Sequence, residues 1–217
     1  MRMGLMVFLL GVGTVHAADM IALRYVDQDP GDPSYLTRIL VTADFLRLDD
    51  GHDDGDFLLL DRRQRQVTNV TRDNKLAMVF AAGMVQAKPA GWNPRLDTQP
   101  GEAGTQRFSL VLKDVVCSEG VAARAAAPDA ARAMAELKSV LAAMQYRVWE
   151  ASPRELQHDC DLANLVWESG ATLGLGLPLE EREFNGRTRR LESESKQPLQ
   201  PELFRVPEGM TAINAPS

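Results

Sequence analysis

Across residues 35–80 short apolar runs alternate with tight polar breaks, and no other feature constrains the fold of this chain as strongly. "YLTRILVTADFLRLD" is a long apolar and β-branched segment. "DFLLLD", "VTNVT" and "KLAMVF" follow it, with "RRQRQ" and "RDN" as breaks. Runs this short, joined by turns this tight, return on themselves and predict an antiparallel meander. Upstream, Ile21, Leu23 and Tyr25 share one face of "MIALRYV" at the period of a strand, and the turn formers of "DQDPGDPS" end it.

The break before "DFLLLD" is unusual. Residues 46–61 hold six acidic side chains and one of the chain's three histidines. Asp50, Asp54, Gly55 and Asp61 fall in the register of a calcium loop, with Phe57 at its apolar eighth place. His52, however, puts nitrogen where a hard cation needs oxygen, the last acid is Asp rather than Glu, and the flanks read as strands rather than helices. The stretch therefore reads as a solvated hairpin loop, for which Asp and Gly are suited.

From residue 81 to residue 104 the pattern dissolves into Gly, Pro and polar residues, which predicts a long loop or flap. "QRFSLVLKDVVC" restores a strand running up to Cys117. The clearest helix spans residues 128–151, where Met134, Leu137, Leu141, Met144 and Val148 recur at spacings of three and four, with Asp129 as N-cap and Pro153 beyond the end. A second, shorter helix is expected in "RELQHDCDLANLVWES". Asn185-Gly186 suits a type I′ turn, so "LEEREF" and "RTRRLESES" should pair. The tail "PLQPELFRVPEGM" is expected to dock Leu203, Phe204 and Val206 on the sheet edge.

The first seventeen residues read as a signal peptide: Arg2, an apolar stretch over residues 3–15, then Val15 and Ala17 at the positions a signal peptidase reads. Residues 18–217 would then be a single periplasmic domain. The apolar stretch falls short of the ~20 residues of a membrane span, so no integral membrane protein is expected. A net charge of −6 without a Lys/Arg cluster argues against nucleic acid or an anionic membrane as partner. In an exported chain Cys117 and Cys160, the only two cysteines, are expected to form a disulfide.

Little in the chain reads as catalytic. There is no G-x-S-x-G elbow, P-loop or G-x-G-x-x-G, and His52 and His158 with two oxidised cysteines are too few for a closed metal site. Glu180 and Glu181 are adjacent and point to opposite faces of a strand. No catalytic residue, metal or cofactor is therefore expected. Met134, Leu137, Leu141 and Met144 form a flexible apolar stripe, which either covers the sheet as core or faces a ligand cavity beneath the helix.

"RILVTADFLRLDD…FLLLDRRQRQVTNVT", the covering helix, the late hairpin and the terminal "LFRVPEGM" together resemble the periplasmic lipoprotein-carrier-like proteins and their uncharacterised exported relatives. The resemblance spans most of residues 20–210. It implies an α+β fold: a curved, half-barrel antiparallel sheet with helices over its concave face. In the better-known relatives that face takes the acyl chains of lipoproteins, but no ligand-contacting residue transfers to this chain. The expectation is a non-catalytic binding protein for a hydrophobic ligand, lipid or lipidated protein. The alternative is an envelope-assembly interaction module that grips another protein through sheet edges and loops. An apolar pocket under residues 129–150 favours the first, and a filled, dry core with an exposed apolar patch the second.

Overall fold

The structure, a computed structural model, describes residues 19–215, so the expected signal peptide lies outside the described residues. The strands are β1 (Asp19–Gln28), β2 (Tyr35–Val41), β3 (Phe45–Asp49), β4 (Phe57–Asp61), β5 (Gln66–Thr71), β6 (Leu76–Ala81), β7 (Arg95–Pro100), β8 (Thr105–Leu112), β9 (Val115–Ala123), β10 (Leu177–Glu183), β11 (Thr188–Pro198) and β12 (Thr211–Asn214). They form one twelve-stranded sheet in the order β12-β6-β5-β4-β3-β2-β1-β11-β10-β9-β8-β7. Every neighbouring pair is antiparallel except β12 on β6, which is parallel. The sheet is curved and does not close, and with its helices it makes an α+β fold.

The meander forms as the alternation predicts, but two runs read as single strands fold back on themselves. "YLTRILVTADFLRLD" divides into β2 and β3 at residues 42–44, where the Thr42 hydroxyl accepts the N–H groups of Asp44 (3.3 Å) and Phe45 (2.9 Å). A side-chain turn of this kind needs neither Gly nor Pro. "QRFSLVLKDVVC" divides into β8 and β9 at Lys113 and Asp114, both at positive φ (49° and 63°) as a type I′ turn requires. The loop expected over residues 81–104 contains β7, paired along its length with β8. At the β10–β11 hairpin the expected pairing holds, but the turn differs. The Glu183 carbonyl accepts the Gly186 N–H, the Glu183 N–H donates to Arg187, and only Gly186 has positive φ (90°). That is a three-residue loop with a bulge rather than a type I′ turn.

Helix α1 (Pro128–Ala151) lies across one face of the meander, here the inner face. Its Ala130, Met134, Leu137 and Val140 pack on Leu23, Tyr25, Ile39, Leu46, Leu60 and Val67. Pro128 occupies the first helical position and Ala127 the N-cap, so Asp129 is not the cap. Its carboxylate instead takes Arg62 from the β4–β5 turn. That guanidinium also reaches Glu136 (2.6 Å) and the Thr42 carbonyl (2.8 Å), tying the helix to the sheet.

The outer face of the meander is covered as well. Leu203 and Phe204, in the turn Pro201–Phe204, pack over Met20, Ala22, Leu40, Phe57, Leu59 and Val70. The tail thus docks on a face of the sheet rather than its edge, and burial on both sides explains continuous apolar runs such as "FLLL". The second helical segment is broken into a turn at Arg154–Leu156, the short helix α2 (Asp159–Leu162) and a π-turn at Ala163–Trp167. It covers the inner face of β8 and β9, where Cys117 and Cys160 form the disulfide among Leu110, Leu112 and Ala163. Among the described residues no helix is long and apolar enough to cross a membrane.

Candidate functional site

Met134 and Leu137 are buried under α1, Leu141 packs against the same core and Met144 is half-buried. They share that core with Tyr25, Leu60 and Val67. None of the four lines the clefts described below.

The open surface lies elsewhere. The turn Pro201–Phe204 covers only the meander half of the outer face and leaves that face bare over β7–β11. Cross-strand register there aligns Gln99, Arg107, Val121, Glu180 and Arg190 in one row, and Asp97, Ser109, Glu119, Arg182 and Thr188 in the next. The two rows are offset by two residues on every strand, so they share one face. They border a cleft of about 650 Å³. A second cleft of about 580 Å³ shares Arg107, Val121, Glu180 and Arg190 and extends the trough towards Thr105 and Glu102. In its floor, a Cβ on Gly120 would sit 2.1 Å from the Glu180 carbonyl oxygen and 2.9 Å from Phe108 Cζ. β9 and β10 approach this closely beside a register shift between Pro178 and Glu180, and a side chain would force them apart.

The charges in the trough are of both signs, and most lack partners. Among the described residues Arg107, Glu119, Glu180, Arg182 and Arg190 are exposed and make no ion pair within 4 Å. Asp97 is held by Arg95 at 2.9 Å.

Among the described residues the buried charges, Asp27, Arg47 and Asp49, are all paired. At the seam between β1 and β11, buried Asp27 accepts both arms of Arg189 (2.7 Å each) and the Thr37 hydroxyl (2.6 Å). Burial alone would push this carboxyl up, but the Arg189 and Thr37 bonds outweigh it and hold it below the usual range. Arg189 lies 5.0 Å over the Tyr25 ring, and the Tyr25 hydroxyl donates to the Pro178 carbonyl (2.9 Å). Burial raises that phenol well above its ordinary value.

The acidic hairpin is only partly a solvated loop. Asp50, His52 and Asp54 are exposed, but Asp49 is buried and accepts from Arg38, Arg47 and the Gly51 N–H. Arg47 lies 4.1 Å from the Phe57 ring centre and donates to the carbonyls of Leu203 and Asp53, while Arg72 donates to those of Gly55 and Asp53. Backbone carbonyls of the loop thus accept guanidinium groups, so the loop is built around cations of the protein itself.

His52 belongs to that loop and His158 lies 5.5 Å from the Phe184 ring, so neither histidine lines the trough. What the trough offers is a pleated, alternately charged surface suited to an extended polar chain. In the sequence "LEEREF" and "RTRRLESES" read only as the two strands of a hairpin. The charge alternation at period two in the expected hairpin is the signal that marks them.

No family model matches the chain, and no curated protein matches it. Among solved structures it is similar to PNGF-II in crystals of space groups C2 and P21, each at 12% identity and a TM-score of 0.38. The match covers 91% of this chain but 31% and 32% of those chains, so this chain spans about a third of their length. A likeness of that size transfers neither fold nor activity.

Proposed function

We propose that the protein is an exported, periplasmic, non-catalytic interaction module with a carrier-like half-barrel sheet, and that its trough over β7–β11 receives a segment of an envelope protein. The observation that carries this reading is the set of unpaired, alternating charges of Arg107, Glu119, Glu180, Arg182 and Arg190 around an open cleft. Exposed ionic groups without partners add little to stability, whereas complementary charges across an interface set register and association rate. The Cys117–Cys160 disulfide is consistent with export. The filled core under α1 supports this reading over a carrier for a hydrophobic ligand or lipidated protein, which needs an apolar cavity.

The test compares the wild-type protein with the double variant Arg107→Glu/Arg190→Glu. Both should unfold at the same temperature. Only the wild type should retain a partner from periplasmic extract, and added salt should weaken that capture. Native mass spectrometry of the protein from its own periplasm provides the opposing outcome: bound lipid, with capture indifferent to the charge reversal, would overturn the proposal.

A further inference from the structure

At the other end of the sheet, β12 is the only parallel strand among the described residues, and its hold on β6 is nearly all backbone. Its residues, Thr211 to Asn214, are all exposed, and none belongs to a core cluster. Ladder bonds fix it, bracketed by the Thr211 N–H to the Lys75 carbonyl (2.7 Å) and the Ala215 N–H to the Val79 carbonyl (2.8 Å). β6 is different: Ala77 is buried and Phe80 packs against the core under α1, so the acceptor edge is rigid and apolar. Such an edge left bare is a template for another strand, and here the chain covers it with its own tail.

Arg205, Val206, Glu208 and Gly209, which lead into β12, are exposed, and Gly209 has φ 78°. Met210, which packs partly on the outer-face cluster, is the last side-chain anchor before the strand. Residues 205–211 reach at most ~25 Å when extended, enough to carry the strand away from its own sheet.

We propose that the β6 edge is a strand-receiving site for an extended segment entering parallel to it, and that the tail of a second copy of this chain can replace the resident one. Recognition would be by backbone hydrogen bonds, as in strand addition generally, with the exposed side chains of "TAIN" adding little selection.

Met78 and Ile213 are direct neighbours across the β6–β12 pair. Full-length Met78→Cys and full-length Ile213→Cys, mixed and mildly oxidised, can link only between copies. They should give a covalent heterodimer whose yield rises with concentration. Gln99→Cys, on β7 at the opposite end of the sheet, should give none with Ile213→Cys. The native disulfide is buried and should not take part. The double variant Met78→Cys/Ile213→Cys should also link within one chain when dilute, which fixes the register. A synthetic peptide of residues 207–215 carrying Ile213→Cys should link to the Met78→Cys chain as well, providing a readout that does not require two folded copies. If neither the heterodimer nor the peptide adduct exceeds the Gln99→Cys control, the proposal is wrong.

Discussion

Asp49→Asn is the substitution whose consequence follows most directly from the structure. The Asp49 side chain is wholly buried and accepts Arg38 Nε and Nη2 at 2.8 Å each, Arg47 Nε at 2.5 Å and the Gly51 N–H at 2.9 Å. Arg47 is itself 1% exposed. Asparagine keeps the shape but removes the charge, leaving a buried guanidinium without its anion. Breaking a buried ion pair from one side costs about 3–5 kcal/mol. The lower end applies here, because Arg38 keeps the Asp53 carboxylate and Arg47 keeps the Leu203 and Asp53 carbonyls. The expected loss is about 3 kcal/mol at neutral pH, read as a lower urea midpoint with an unchanged slope.

The pH dependence has a definite sign. Burial would raise the Asp49 carboxyl, but its Arg38, Arg47 and Gly51 bonds outweigh burial and lower it from its ordinary value of 3.8. Its contribution is therefore fully present above that value and disappears as pH falls through the depressed folded one. Asp27 behaves in the same way but is common to both proteins, so it cancels in the difference. The gap between wild type and Asp49→Asn should be flat from about pH 5 to 8 and close below about pH 4. Arg47→Met should cost less, because Asp49 keeps Arg38 and the new side chain still packs on Phe57. A loss below about 1 kcal/mol for Asp49→Asn, or an equal loss for Arg47→Met, would refute the reasoning.

Two further outcomes test the frame. Arg62→Ala removes the link from the β4–β5 turn to Asp129 and Glu136. Because those carboxylates are more than a third exposed, the loss should be modest, roughly 1–2 kcal/mol in urea unfolding, with α1 still formed by circular dichroism. Reducing the Cys117–Cys160 disulfide releases a loop of sequence separation 43, which should cost roughly 4 kcal/mol in the chain-entropy model, and thiol labelling of the unfolded, unreduced protein should find no free cysteine.

Features set by local chemistry were legible in the sequence. The meander, α1, the disulfide and the β10–β11 pairing follow from periodicity, composition and a hairpin signal. The turns at residues 42–44 and at Lys113 and Asp114 were not, because one is held by a threonine hydroxyl and the other puts positive φ on residues with full side chains. Missing the first of these hid more than a turn. With β2 and β3 separated there, the register sets Arg38 opposite Asp49, and the acidic hairpin's anchor becomes readable. The trough was illegible for a different reason. Arg107 and Glu119 come from one hairpin and Glu180 and Arg190 from another, with α1 between them in the chain, and each alone looks like an ordinary solvated side chain.

The contrast between paired and unpaired charges bears on which surface serves function. Where arginine and carboxylate act structurally here, they are saturated: Asp27 with Arg189 and Thr37, Asp49 with Arg38 and Arg47, Arg62 with Asp129 and Glu136. The trough uses the same side-chain chemistry on neighbouring strands, with Glu180 opposite Arg190 and Glu119 opposite Arg182, yet these neighbours do not close into pairs. Exposed opposite charges on adjacent strands gain little by pairing, because closing the pair costs side-chain entropy, so these groups are left available to a partner. The proposed function rests on their complementarity to a partner. A segment lying across the strands would meet positive Arg107, negative Glu180 and positive Arg190 in turn along one row, and reversing the two arginines would oppose it without disturbing the sheet.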